Sequence, residues 1–127
     1  SITKLNEFKK IIFMHCVSSY PCSFEMLNFN KFNELKKFSN NVGYSGHYDG
    51  IDDAKLAINF DAKYIEKHFT IDKNLPGRDN KFAILPDQFK KLSKYRYDFI
   101  EMKKNHNLNI QKSELDIFKN YRGRWGK

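Results

Sequence analysis

The chain has 127 residues and a formal net charge of +8, with 23 lysines and arginines against 15 aspartates and glutamates. Apolar residues make up 40% and aromatic residues 16%, a content of large apolar side chains that excludes a disordered chain. No apolar run approaches the roughly 18 residues of a membrane span, so we expect no membrane partner. Two cysteines are too few for a disulfide scaffold, and we therefore expect a cytoplasmic protein. The length predicts one domain or part of one.

Strands and helices alternate along the chain. An apolar run at residues 11–17 predicts a strand that is buried on both faces. Apolar residues at helical spacing predict a helix over residues 30–38, and a short second strand follows at residues 42–45. A compact helix is expected over residues 51–60, and a third strand over about residues 62–69.

One long helix dominates the rest of the chain. A loop over residues 71–85 ends at Pro86, a residue that favours the first position of a helix, and the helix is expected to run to about residue 104. Its apolar stripe consists of Phe89, Leu92, Tyr95 or Arg96, Phe99 and Met102. The tail from residue 105 is polar, and residues 1–10 have the pattern of the end of an amphipathic helix.

Three strand–helix units in succession predict an α/β fold, a parallel sheet with helices as its crossovers. Three such units cannot close a barrel or cover both faces of a sheet. The sequence therefore predicts either part of a larger barrel or an unusually small three-layer fold.

Histidines follow or end each predicted strand. In folds of this kind, ligands bind beyond the carboxyl ends of the strands, where His15, His47 and His68 lie. Imidazole is a common ligand of divalent metals, and neighbouring strands about 4.8 Å apart can bring two imidazoles to one ion. We interpret His47 and His68 as a candidate metal pair. His15 lies inside an apolar run and is more simply a structural residue, as are Cys16 and Cys22, interpreted as small buried thiols.

Three motifs resemble the sialic acid synthase family. They are His-Cys-Val-Ser-Ser-Tyr-Pro at residues 15–21, Gly-Tyr-Ser-Gly-His at residues 43–47, and Ile-Glu-Lys-His-Phe-Thr-Ile-Asp-Lys-Asn-Leu-Pro-Gly-Arg-Asp at residues 65–79. Enzymes of that family condense phosphoenolpyruvate with an N-acyl hexose such as N-acetylmannosamine and release phosphate. The resemblance implies that residues 1–104 are the C-terminal part of a (β/α)8 TIM barrel, about three βα units, and that residues 105–127 are a polar tail.

The resemblance also implies roles for individual residues. His47 and His68 match the two protein ligands of a divalent metal, normally Mn²⁺ with Mg²⁺ as the alternative, and Glu66 belongs to the same catalytic rim. The substrate-binding positions are Ser45 for the phosphate of phosphoenolpyruvate, Tyr20 and Asp79 for the acceptor sugar, and Ser18. Ser18 stands where many members have Asn, and the neighbouring departures Gly46, Arg78 and Asn80 leave the identity of the sugar open.

Two other interpretations are compatible with the sequence. The basic aromatic residues 121–127 could belong to a small nucleic-acid-binding module, although the lysines are otherwise spread over the whole chain. A non-catalytic half barrel kept for assembly is the second, and the intact histidines argue against it. The synthase interpretation predicts a homodimer without a nucleic-acid partner, and a 127-residue chain that is inactive by itself because the family's other strands carry most of the anion-binding groups.

Overall fold

The structure is a computed structural model that describes residues 11–104, 107–121 and 123. The expected helix end at residues 1–10 and most of the basic tail lie outside the described residues. The interpretations that depend on those segments stay predictions.

Three parallel strands and the helices between them form the described part of the chain, as the sequence predicts. The strands lie in the order β1-β2-β3, with His15 opposite Tyr44 and Ser45 opposite Glu66. Both long strands predicted from the sequence are shorter in the structure. In chain order the elements are β1 (Phe13–Cys16), α1 (Asn30–Lys36), β2 (Val42–Gly46), α2 (Asp52–Asn59), β3 (Tyr64–Lys67), α3 (Pro86–Met102) and α4 (Leu115–Asn120).

The helices cover one face of the sheet. Phe32 of α1 and Ala57 of α2 pack against Val42 and Tyr44 of β2 in a buried aromatic cluster. A second apolar cluster joins α2 to α3 through Ile58 and Leu92, among others. Because side chains alternate along a strand, this packing uses only every second residue of each strand.

The other face of the sheet carries polar and exposed side chains. Cys16 and Glu66 are exposed on this face, which we call the open face. The expectation of a strand buried on both faces is therefore wrong for the described residues, because helices lie on one side only. The expectation of two buried thiols holds for Cys22 but not for Cys16, whose side chain points away from the helices.

The helix α3 begins at Pro86 as predicted, and the Gln88 side chain accepts a hydrogen bond from the Leu85 amide at its start. Of its predicted apolar stripe only Leu92 is buried, while Phe89 and Met102 are exposed. Phe89, Leu92 and Arg96 line a groove of about 690 Å³ beside β3, which is one of the two edge strands of the described sheet. Among the described helices, none has the length and apolarity that crossing a bilayer requires.

Candidate active site

The open face brings together the side chains that follow β2 and β3. Ser45 and His47 are two residues apart, as are Glu66 and His68, so both pairs point to the open face. The imidazole centroids of His47 and His68 lie 5.3 Å apart. Two imidazoles bound to one ion lie about 5 Å apart when metal–nitrogen bonds of about 2.1 Å meet near a right angle. The two rings are thus close enough for one ion.

A hydrogen bond to the backbone fixes the ring of His47. Its Nδ1 lies 2.8 Å from the carbonyl oxygen of Val17, and a carbonyl can only accept, so Nδ1 carries the proton. The lone pair of the neutral ring is then on Nε2. The His47 carbonyl accepts a hydrogen bond of 2.9 Å from the Cys22 amide, and the ring is buried. Donation of the second nitrogen to a carbonyl is typical of histidines that bind metals.

His68 is fixed by the segment that follows it. Its carbonyl accepts a hydrogen bond of 2.8 Å from the Ile84 amide, and the parallel bridge between Phe69 and Ile84 continues this contact. Nδ1 of His68 is 3.7 Å from a carboxylate oxygen of Asp79. This distance is too long for a hydrogen bond, but it puts the carboxylate next to the imidazole. His68 remains partly exposed on the open face.

Two aromatic side chains line the histidine pair. Tyr20, which precedes a cis proline, has its ring 4.1 Å from that of His47 and 6.3 Å from that of His68. The buried Phe82 lies 5.2 Å from His68 and 5.7 Å from Tyr20. Phe82 was not predicted from the sequence as a site residue. Its position three residues after Asp79, in the same loop, is the only signal that could have indicated it.

Ser45 and Glu66 form a polar pair beside the histidines. The Ser45 hydroxyl donates a hydrogen bond of 2.7 Å to a carboxylate oxygen of Glu66 across β2 and β3. The residue Ser18 is exposed in the loop after β1, and no hydrogen bond within the described residues joins it to this group. The structure therefore gathers all the proposed site residues except Ser18, whose assigned role stays a prediction, as do the roles of the others.

His15 does not share the rim with the other two histidines. It is buried on the helix side of the sheet, where its Nε2 lies 2.7 Å from the Leu27 carbonyl and its ring packs on Phe29 and Tyr44. The reason is the alternation of β1, which points His15 and Cys16 to opposite faces. The prediction that three strand ends bring histidines to one rim is wrong for His15, and its buried position agrees with its interpretation as a structural residue.

A buried polar cluster on the helix side was also missed. Lys67 pairs with Asp53 at 2.9 Å, and the Tyr44 hydroxyl donates to Asp53 at 3.0 Å. Burial lowers the pKa of Lys67 below its usual value, although the Asp53 carboxylate opposes this shift. Burial and Asp53 together raise the pKa of Tyr44, so its hydroxyl remains protonated and donates. Single residues of these types are widespread in sequences, so nothing in the sequence indicated that they meet.

The donor set fits a metal held by two imidazoles and completed by other molecules. Within the described residues no cluster of three or more His, Cys, Asp or Glu side chains is arranged to hold an ion. The described residues would thus supply two imidazole nitrogens to an ion at this place.

The chain belongs to the NeuB family, whose family model matches residues 1–107. This is consistent with the three motifs and with the parallel α/β fold. Since the matched range contains all three strands and every site residue discussed above, the family assignment applies to the whole candidate site.

Individual relatives are similar over the same region. The chain is 42% identical over 88 residues to an uncharacterized protein of Methanocaldococcus jannaschii and 40% identical over 85 residues to the N,N'-diacetyllegionaminic acid synthase of Campylobacter jejuni. These matches cover 68% and 66% of this chain, but 26% and 25% of the relatives. The chain thus spans about a quarter of the length of these curated relatives.

A solved structure is similar to the fold. It is the N-acetylneuraminic acid synthetase of Leptospira borgpetersenii, with a TM-score of 0.71 and 33% sequence identity. The match covers 90% of this chain and 40% of that chain.

Proposed function

We propose that this chain forms part of a nonulosonic acid synthase, which condenses phosphoenolpyruvate with an N-acyl hexose in the cytoplasm. The observation that carries the proposal is the approach of His47 and His68 to 5.3 Å on the open face of a NeuB-family sheet. The Ser45–Glu66 pair and the Asp79 carboxylate beside the histidines support it.

The proposal includes a complete (β/α)8 barrel in which the described βα units are the last three. The polar open face supports this, because the inner side of such a barrel carries the substrate groups at its carboxyl end. The groove of about 690 Å³ next to the edge strand β3 also fits a sheet that continues beyond β3. We use the term complete enzyme for a whole barrel that contains this segment and the remaining strands. We propose that the complete enzyme works as a homodimer.

His47 and His68 would hold the divalent metal, with Mn²⁺ the first candidate and Mg²⁺ the second. When bound, such an ion acts as a Lewis acid that polarises the aldehyde oxygen of the acceptor sugar. The reaction itself joins carbon 3 of phosphoenolpyruvate to the aldehyde carbon, after which water adds at carbon 2 and phosphate leaves. Ser45 would contact the phosphate, and Glu66 would belong to the same catalytic rim. The Ser45 hydroxyl has a single proton, which it donates to Glu66 in this structure, so donation to the phosphate would replace that hydrogen bond.

The acceptor sugar would lie against Tyr20 and Asp79. The Tyr20 ring packs on His47, and its exposed side offers an apolar surface to a sugar ring. The exposed Asp79 carboxylate can accept hydrogen bonds from sugar hydroxyl groups near His68. Holding both reactants in one orientation would supply much of the rate.

The direct test is condensation by the complete enzyme. We expect formation of a nonulosonic acid, detected with thiobarbiturate, and release of one phosphate, both lost on chelation and restored by Mn²⁺. Phosphoenolpyruvate would be offered with N-acetylmannosamine and with precursors of legionaminic and pseudaminic acids. No product with any of these acceptors would overturn the proposal.

Replacing Asp79 by Asn is expected to raise the KM for the acceptor sugar in the complete enzyme while leaving the KM for phosphoenolpyruvate nearly unchanged. A hydrogen bond to a charged group is worth about 1.5–3 kcal/mol, so the increase should be roughly tenfold or more. Steady-state kinetics with each substrate varied in turn measure it. Asp98→Asn, which removes a carboxylate paired with Lys94 on the surface of α3, is the matched control. Equal effects of both variants on the sugar KM would contradict the role of Asp79.

The 127-residue chain by itself is expected to be inactive. The described residues offer Ser45 for phosphate, but Lys67, the basic residue of β3, points to the helix side and is bound to Asp53. Anion binding by a single hydroxyl would leave the charges of phosphoenolpyruvate largely unpaired. The measurement is the thiobarbiturate assay with Mn²⁺ at high protein concentration, and detectable condensation would contradict the expectation.

A further inference from the structure

Lys67 lies between two proposed site residues but on the other side of the sheet. Glu66 and His68 point to the open face, and the alternation of β3 directs Lys67 to the helix side. There the side chains of Lys67 and Asp53 are 3% and 0% exposed. The Lys67 ammonium donates to both Asp53 carboxylate oxygens, at 2.9 and 3.2 Å, and to the Tyr48 carbonyl at 2.8 Å. Its three protons thus each have an acceptor.

These contacts join the two strand ends that carry the histidines. Tyr48 directly follows His47, so its carbonyl belongs to the loop in which His47 stands. Lys67 directly precedes His68 in the chain. The ammonium therefore ties the His47 loop to the end of β3, while Asp53 fixes both to α2 and Tyr44 fixes Asp53 to β2.

Stability alone does not explain a buried ion pair at this place. Replacing such a pair by apolar residues of similar volume is often neutral or stabilising, because removing two charges from water is costly. The feature that apolar residues would not reproduce is direction, since each hydrogen bond fixes a distance and an angle between two elements. The cluster is satisfied throughout, and the described residues contain no buried side-chain polar atom without a partner.

Gly46 makes room for this arrangement. A Cβ atom on residue 46 would come within 2.3 Å of the Asp53 carboxylate and within 2.5 Å of the Tyr44 ring. The carboxylate of Asp53 thus occupies the space in which a side chain of residue 46 would lie. With Asp53 truncated, a carboxylate on residue 46 would enter the space that Asp53 leaves, and the Tyr44 ring would have to shift.

We propose that Lys67 is a positioning residue: by binding the Tyr48 carbonyl and the Asp53 carboxylate, it sets the distance between the imidazoles of His47 and His68. The inference rests on the proposed function, because that distance matters only if the two rings hold one metal ion. Lys67 touches neither the metal nor a substrate in this role. It acts through the backbone on both sides of the histidine pair.

The test compares metal affinity with stability in the complete enzyme. In the double variant Lys67→Met with Asp53→Leu, apolar side chains replace the ion pair, so the fold should be kept while the directional contacts are lost. We expect the Kd for Mn²⁺, measured from the electron paramagnetic resonance signal of free Mn²⁺, to rise about 10- to 100-fold, as for outer partners of other metal sites. The midpoint of thermal unfolding should fall by only a few degrees, because the Tyr44 hydroxyl and the Tyr48 carbonyl lose their partners while the two buried charges are removed.

Two further variants decide whether Lys67 and Asp53 position the histidines or whether the loss of any ion pair lowers the Mn²⁺ affinity. Lys94→Met with Asp98→Leu removes an exposed pair from α3 and should change neither quantity. Gly46→Asp with Asp53→Ala moves the carboxylate to the strand, although the Tyr44 ring, 2.5 Å from the new Cβ, has to shift. Its Mn²⁺ affinity should be at least about threefold higher than that of Asp53→Ala alone, a partial recovery of the 10- to 100-fold loss. Rescue of this kind would not follow if Asp53 acted only by filling space.

The outcomes separate the inference from the function it rests on. A wild-type complete enzyme that binds no Mn²⁺ would overturn the proposed function together with the inference. Mn²⁺ binding that is equal in wild type and in the folded Lys67→Met, Asp53→Leu variant would overturn the inference alone. If that variant unfolds, the Gly46→Asp, Asp53→Ala variant decides: affinity higher than that of Asp53→Ala alone supports positioning, and affinity lowered as far as in Asp53→Ala alone overturns it.

Discussion

Replacing His68 by Ala in the complete enzyme is expected to abolish Mn²⁺-dependent condensation, and His47→Asn should do the same. The asparagine keeps a donor for the Val17 carbonyl but has no imidazole Nε2, so it separates metal binding from the support of the loop. Turnover should fall about 1000-fold or more, because Lewis-acid stabilisation is worth several kcal/mol and about 1.4 kcal/mol corresponds to a factor of ten. The measurement is phosphate release against Mn²⁺ concentration at saturating substrates.

His15→Gln is the matched control for both variants. Glutamine can still donate to the Leu27 carbonyl on the helix side of the sheet, where His15 is far from the open face. Its Mn²⁺ dependence should equal that of wild type, even if the unfolding temperature decreases. If His47→Asn and His68→Ala retain wild-type turnover and metal dependence, the two imidazoles do not hold the catalytic ion, and the site assignment fails.

Phe32→Ala is expected to lower the free energy of unfolding more than the replacement of any exposed phenylalanine by alanine. Phe32 is 0% exposed, and its ring contacts Phe29 and Phe60 under β2. Truncation of a buried phenylalanine typically costs about 3–5 kcal/mol through lost transfer energy and the cavity that remains. Since domains are stable by only about 5–15 kcal/mol, the loss is a large part of the total. Urea unfolding of the complete enzyme measures the change.

Phe38→Ala provides the comparison within the same region of the chain. Phe38 follows α1 and is 60% exposed, so its truncation should change the free energy of unfolding by no more than about 0.5 kcal/mol. Equal losses for the two variants would mean that α1 does not pack against the sheet through Phe32. The packing matters for the site because the same cluster contains Tyr44, which donates to Asp53.

Local patterns were sufficient for the order of elements. The short apolar run at β1, the helical spacing around Phe32 and the proline at the start of α3 each predict an element from a few adjacent residues, and the structure contains all three. The exact strand ends and the exposed stripe of α3 were not predicted. The length of each strand and the burial of each helix residue depend on the elements packed against them. Those elements come from residues that are distant in the chain.

The candidate site was predicted in part. His47 and His68 follow two neighbouring strands, so parallel topology alone brings them to one edge, and the structure puts their rings 5.3 Å apart. The sequence places His15 near the end of a strand as well, but in the structure its side chain faces the helices. The Val17 carbonyl had no sequence signal, and Phe82 had only its nearness to Asp79 in the chain, because a backbone oxygen and a loop ring take their roles from tertiary contacts.

By itself the sequence determined the alternation of strands and helices and the family motifs, because hydrophobic periodicity and motif residues are local properties of the chain. Only the tertiary structure decided which face of the sheet each side chain occupies, and with it the separation of His15 from the other histidines. It also decided that Lys67, Asp53 and Tyr44 meet in one buried cluster. Such clusters depend on distances between elements, and no pattern along the chain encodes these distances.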